Sequence, residues 1–128
     1  MRPPYKKANI VRDPEAVALW RAEQDERCMV CQHKKCGWLP LSVHHIVRSA
    51  GRSDEACNFL LVGQPCHDRC PGHDGSFYPK LTMGEVLTVK VLADPTCYDR
   101  LRLEELYGSP LEVEPLPDWL LEKRRRKK

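Results

Sequence analysis

The stretch that decides the fold is Ser42-Val43-His44-His45-Ile46-Val47. Its β-branched residues favour a strand, and neighbouring side chains of a strand point to opposite faces. We therefore expect His44 and His45 to have different surroundings, so that one can bind a metal while the other addresses another group. Adjacent histidines alone are also common on surfaces and as hydrogen-bonded core residues. The motifs on either side must decide between these alternatives.

Cysteines flank this stretch, with Cys28-x2-Cys31 before it and Cys66-His67 after it. The chain has seven cysteines, an odd number. It contains no apolar run of about 20 residues and no apolar leader near its first residue, so we expect a cytoplasmic protein without a membrane partner. Thiols stay reduced in that compartment. The cysteines are therefore interpreted as metal ligands and not as disulfides.

Helices are expected on both sides of the motif. Asp13 followed by Pro14 is typical of an N-cap with proline in the first turn, and predicts a helix to about Arg27. Further on, a capping box predicts a helix over 82–93, and an Asp-Pro cap predicts another over 95–107. These helices are expected to pack against the motif.

The motif itself is expected to form a zinc knuckle that leads into a β-hairpin. The hairpin loop is predicted over 49–55, and the apolar run Phe59 to Val62 is its second strand. A short helix should begin at Pro65 or Cys66 and end before residue 71. The fold class predicted from these elements is α+β.

The charge is uneven along the chain. The net charge is +3, but residues 123–128 alone carry six basic side chains, which leaves −3 for the rest. Such a basic end either attracts nucleic acid without sequence preference or keeps the chain soluble. We predict one domain over 1–108, with its motif core over 28–70, and an extended, loosely attached segment over 109–128. The basic candidates for nucleic-acid binding in that segment are Lys123, Arg124, Arg125 and Arg126.

The combination of His-His-Ile, a glycine-bearing loop, Asn58 before an apolar pair, and Cys66-His67 at the start of a helix resembles the HNH, or ββα-metal, nuclease family. There are thirteen residues from His45 to Asn58 and nine from Asn58 to His67, which is close to the family's intervals. The resemblance covers about one third of the chain. It implies a ββα-metal hairpin and helix, and an endonuclease that hydrolyses phosphodiester bonds in DNA.

The family roles carry over to four residues. His44 and His67 would bind the catalytic cation, His45 would be the general base, and Asn58 would hold the loop or touch the metal. A single divalent cation (Mg²⁺, Mn²⁺, Ni²⁺ or Zn²⁺) would neutralise the scissile phosphate. Small free-standing members are often phage products. The resemblance therefore also implies the host cytoplasm, and phage DNA-processing proteins as partners.

The zinc site departs from the family pattern. Many members carry a second Cys-x2-Cys just before the last histidine, and here its first position is Gly63. Cys28, Cys31 and Cys66 remain as three structural zinc ligands. We predict Cys70 as the fourth because it lies four residues after Cys66, on the same helical face, and Cys36 is the alternative. Cys57 and Cys97 are expected to be small buried apolar residues.

The cation shell is also incomplete by the family pattern, because some members have another histidine where this chain has Pro71. His73 and Asp74 could complete it, or water could. Three arginines beside the motif could hold phosphates, or could be ordinary surface charge: Arg48, Arg52 and Arg69.

Two other functions compete with a nuclease. A zinc-binding module of the same fold, without catalysis, could dock on nucleic acid or on a protein. A redox or zinc-storage protein would explain the cysteines, but it would explain neither the histidine pair nor Asn58.

Overall fold

The computed structural model describes residues 9–48, 52–72 and 79–126. Within them lie five α-helices, two strands and two 3₁₀ turns, the turns at Ala56–Asn58 and Pro95–Cys97. The fold class is α+β, as predicted. In chain order the helices and strands are α1 (Pro14–Ala22), β1 (Ser42–His45), β2 (Phe59–Val62), α2 (Gln64–Arg69), α3 (Met83–Ala93), α4 (Arg100–Tyr107) and α5 (Asp118–Arg125).

The two strands form an antiparallel hairpin that carries the histidine pair. His44 lies opposite Leu60, and His45 lies opposite Phe59. All four residues of β2 are buried, which is expected for a short apolar strand covered on both faces. After β2 the chain passes through Gly63 directly into α2, so that β1, β2 and α2 are consecutive elements around the motif.

Local capping signals fix the helix starts. Asp13 caps α1 by accepting a hydrogen bond from the amide of Ala16, and the capping box at the start of α3 is present in both directions. The predicted single helix over 95–107 is wrong. A 3₁₀ turn ends at Cys97, and α4 begins separately with Asp99 as its own N-cap.

The hydrophobic core joins the hairpin to the flanking helices. The rings of Trp20 in α1 and Phe59 in β2 lie 5.4 Å apart. Leu87 of α3, Leu103 of α4 and Leu120 of α5 are fully buried in the same cluster. The core therefore draws on both sides of the motif, and α1, α3, α4 and α5 support the hairpin.

The segment after residue 108 differs from the extended, loosely attached chain that the sequence predicts. Residues 109–117 have no helix or strand, but Leu111 and Leu116 are buried, and α5 follows. The segment is attached to the domain because the apolar side of α5 packs Leu120 into the core. The longest described helix, α3, has 11 residues. In the described part of the chain, none of the helices is both long and apolar enough to span a membrane.

Candidate functional site

Four buried cysteines form a cluster whose sulfur atoms all lie within 4.8 Å of one another: Cys28, Cys31, Cys36 and Cys66. Two parts of the chain bring them together, because the first three lie in residues 28–36, the knuckle before β1, and the fourth lies in α2. Four thiolates at this spacing match the tetrahedral ligand set of structural zinc. The cluster could therefore hold a structural metal such as zinc.

The backbone of the knuckle is fixed to the hairpin. The amide of Cys28 donates to His33 O at 3.0 Å, and the amide of Met29 donates to Leu61 O at 2.8 Å. Because Leu61 is in β2, the cysteines that precede β1 are held beside the strand that leads into α2. A metal bound by the four cysteines would therefore tie the knuckle, the hairpin and α2 into one unit.

The prediction of Cys70 as fourth ligand is corrected to Cys36. Cys70 follows the last residue of α2, and its thiol donates back to Cys66 O at 3.4 Å. Two residues four apart on a helix can share a metal, but the Cys70 sulfur is not among the four that lie within 4.8 Å of one another. Cys36 instead occupies the space beside Gly63. A Cβ at that glycine would overlap Cys36 and lie 2.5 Å from its Sγ.

The thiols of the cluster influence one another. Hydrogen bonds from Cys28, above all, lower the pKa of Cys31 and bring that of Cys36 to about 7. Outside the cluster, burial raises the pKa of Cys70 to about 12 and that of Cys57 to about 11. Thiolate is the form that binds metal, so Cys31 and Cys36 are suited to a metal, whereas hydrogen bonds within the cluster raise the pKa of Cys28 and of Cys66. A bound cation would favour the thiolate form of all four. The buried thiols of Cys57 and Cys70 are suited to packing.

The predicted cation ligands His44 and His67 lie together. Their rings make an edge-to-face contact with centroids 5.0 Å apart. His44 is buried in β1, and His67 lies half-buried in α2 with its Nδ1 at 3.4 Å from Asp68 Oδ1. The structure thus brings two imidazoles from different elements to one place, beside the carboxylate of Asp68.

His45 points to a different carboxylate. Its Nε2 donates to Asp54 Oδ1 at 2.8 Å, and the other ring nitrogen has no hydrogen-bond partner among the described residues. Burial lowers the pKa of His45, although Asp54 opposes this shift. Asp54 is itself held by the backbone amide of Asp13 at 2.8 Å. His45 is therefore fixed by one nitrogen and neutral near pH 7, which leaves the other nitrogen as a proton acceptor.

Asn58 lies at the base of the hairpin loop and is fully buried. Its Oδ1 accepts from Val47 N at 2.7 Å, and its Nδ2 donates to Val47 O and Ser53 O. These three hydrogen bonds give it the role of holding the loop. They do not support the alternative role as a cation ligand, because the oxygen already has a partner and the side chain has no exposed surface.

The three predicted phosphate-binding arginines differ in exposure and in their contacts. Arg48 and Arg52 are exposed, and Arg48 donates to Gly72 O at 3.0 Å. The guanidinium of Arg69 lies 4.9 Å from the ring centre of Trp119, and its Nε is buried without a partner. Arg69 therefore attaches α5 to α2, and of these three arginines only Arg48 and Arg52 present their charge at the surface.

The basic residues of the C-terminal end also differ from one another. Arg124 is half-buried and donates to Met29 O and Val30 O, while Lys123 is partly buried and its carbonyl accepts from His33 Nε2 at 2.8 Å. Arg125 and Arg126 are exposed and pair with Glu122. Among these residues the exposed pair fits the predicted nucleic-acid role best. His73 and Asp74, the candidates for completing the cation shell, lie outside the described residues.

One residue of the site, Asp54, was missed from the sequence, and Cys36 was named only as the alternative fourth ligand. Asp54 could have been chosen as a partner of the histidines. It is the first acidic residue after residues 27–53, which contain both histidines and no acidic residue. Cys36 could have been found from Gly63, since a missing side chain at a ligand position leaves room for a thiol from elsewhere. Comparison of the chain with models of protein families, with curated proteins and with solved structures finds no match.

Proposed function

We propose that this protein is a metal-dependent endonuclease that hydrolyses phosphodiester bonds in DNA on a ββα-metal core. The observation that carries the proposal is the meeting of His44 and His67 from β1 and α2, with ring centroids 5.0 Å apart. A structural zinc in the cysteine cluster would hold these two elements together. The HNH resemblance rests on the residues named above.

Each histidine has a separate task in this proposal. A divalent cation held by His44 and His67 would offset the charge of the scissile phosphate. His45 takes the proton of the attacking water on the nitrogen that does not face Asp54, and Asp54 keeps the ring oriented. Asn58 keeps the loop in place. The chain's own residues thus supply a base, its support and a cation site from one hairpin and one helix.

Plasmid cleavage tests the proposal. Wild-type protein is incubated with supercoiled DNA and Mg²⁺, Mn²⁺, Ni²⁺ or Zn²⁺, and nicked and linear products are measured. We expect His45→Ala to lose cleavage by roughly 10² to 10⁴-fold, because it removes general base catalysis. The losses in His44→Ala and His67→Ala should be partly recovered at high cation concentration, whereas the His45→Ala loss should persist.

His33→Ala is the matched control, because this histidine bonds to the carbonyl of Lys123 and belongs to no proposed catalytic group. Its cleavage should stay within a few-fold of wild type, with zinc content checked in every variant. If His45→Ala cleaves as fast as wild type, the base assignment is wrong. If wild type cleaves with none of the four cations, a non-catalytic zinc-binding module takes the place of the nuclease.

A further inference from the structure

The knuckle ends in an exposed tip, residues 37–40, which the proposed mechanism does not use. Its centre is Trp38, with 96% of its surface exposed. We propose that this tip, together with Lys34 and Lys35, binds a DNA strand with unpaired bases. The indole of Trp38 stacks on a base, and the two lysines contact phosphates. The ligand class rests on the proposed function, and the tip would define which form of DNA the protein prefers.

The tip is presented on a rigid support. Cys36, before it, belongs to the metal cluster, and Leu41, after it, is buried in the core. Gly37 has φ +77°, and a Cβ there would lie 2.8 Å from the ring of Pro65 in α2. Only glycine readily allows both this backbone and this approach. A large aromatic side chain held out from a fixed loop can bind without first losing much backbone entropy.

The charge around the tip favours nucleic acid. Residues 27–53 contain no acidic residue. Of the five basic residues in this stretch, Lys34 and Lys35 lie beside the tip, whereas Arg48 and Arg52 follow the other end of β1. Lys34 and Lys35 are exposed and line an open depression beside Trp38. Glu26 also lines it, and its carboxylate is paired with Arg21. Clustered positive charge of this kind is typical of protein surfaces that bind the phosphates of nucleic acid.

Unpaired bases suit the tip better than an intact duplex. Inside a duplex the faces of the bases are covered by their neighbours, whereas a single strand offers them to an aromatic side chain. Trp38 lies six positions before His44, so their Cα atoms are at most about 20 Å apart. At about 3.4 Å per stacked nucleotide, at most about six nucleotides would be needed between the stacked base and a phosphate at His44. The tip and the histidine site could therefore contact one strand.

Binding is measured by the anisotropy of a labelled oligothymidine of 12 nucleotides, with a duplex of equal length for comparison. No cation is added, so that cleavage does not interfere. Trp38→Ala should weaken single-strand binding by roughly 5- to 100-fold and change duplex binding much less. In the variant with both Lys34→Ala and Lys35→Ala, the salt dependence should become shallower by roughly 1.4 in the slope of log K against log salt.

Leu101→Ala is the control, because it shortens another exposed apolar side chain that lies outside the basic stretch. It should bind as wild type does. Unchanged single-strand binding in Trp38→Ala overturns the proposal, and so does equal weakening on single strand and duplex. Plasmid cleavage by wild type is recorded in parallel. If wild type cleaves but Trp38→Ala binds single strands unchanged, only the tip proposal is wrong. If binding depends on Trp38 but wild type does not cleave, only the nuclease proposal is wrong.

Discussion

At the scale of single residues, the cysteine cluster depends on the absence of a side chain at Gly63. Gly63 lies where a ligand side chain would stand in the HNH pattern, and the thiol of Cys36 fills the space that a Cβ at Gly63 would need. Cys36 reaches this place from the knuckle, so its ligation joins β1's side of the hairpin to α2. Ligation by Cys70, which follows the last residue of α2, would instead add a second ligand from the side of Cys66 and leave two on the knuckle side.

Exchange of single cysteines tests this geometry. Cys36→Ser should lose stoichiometric zinc and most of its stability, since structural zinc supplies folding free energy. Cys70→Ser should keep the zinc and be destabilised by about 1 to 3 kcal/mol through burial of a hydroxyl. Zinc is measured by elemental analysis after gel filtration in a mild chelator. Retention of zinc in Cys36→Ser with loss in Cys70→Ser would restore Cys70 as the ligand.

At the scale of elements, α3 holds the hairpin through a fully buried lysine. Lys90 Nζ donates to Ala56 O and Phe59 O at 2.8 Å and to Asp94 Oδ2 at 2.7 Å. Burial lowers the pKa of Lys90. Burial alone would raise the pKa of Asp94, but hydrogen bonds from Lys90 and Trp20 outweigh it and lower that pKa. The ammonium group thus joins α3 to the turn that carries Asn58.

Removing this ammonium should be costly. Lys90→Met removes one donor from two carbonyls and the cation that pairs with the Asp94 carboxylate, which keeps its hydrogen bond from Trp20. We expect a loss of about 3 to 5 kcal/mol in the free energy of unfolding. Adding Asp94→Asn removes the unpaired charge, so the double variant should be more stable than Lys90→Met alone. Urea unfolding followed by circular dichroism measures both. If Lys90→Met is as stable as wild type, the hydrogen bonds of Lys90 contribute little to the free energy of unfolding.

These elements also show what could be predicted from the sequence. The caps of α1 and α3 were predicted correctly because their hydrogen bonds span three residues, as at Asp13 and Ala16. The break before α4 was missed because Asp94-Pro95 and Asp99 both have the chemistry of a cap. The two backbone partners of Lys90 lie 31 and 34 residues away, and no local pattern indicates them. The meeting of His44 and His67 was expected only from a family resemblance.

At the scale of the whole molecule, the two ends of the described chain enclose the motif. Near the first end, the backbone amide of Asp13 donates a hydrogen bond to the Asp54 carboxylate, which in turn accepts one from His45. Near the other end, α5 lies against the knuckle, where Arg124 Nη1 donates to Met29 O at 3.0 Å and to Val30 O at 2.8 Å. Both ends therefore support the site, and the basic end is a structural part of the domain as well as a source of positive charge.

Arg124 should therefore be required for a stable knuckle. Burial lowers its pKa, but the thiolates of Cys31 and Cys28 oppose this and favour its charged form. Because the guanidinium serves two backbone carbonyls between those cysteines, Arg124→Met should cost about 2 to 3 kcal/mol and speed the transfer of zinc to a chromogenic chelator. Arg125→Met is the control, since Arg125 is exposed and its ion pair with Glu122 should contribute less than about 1 kcal/mol. If the two variants release zinc and unfold alike, the contact of α5 with the knuckle does not stabilise the metal centre. If only Arg124→Met is affected, docking of α5 and metal binding are energetically linked.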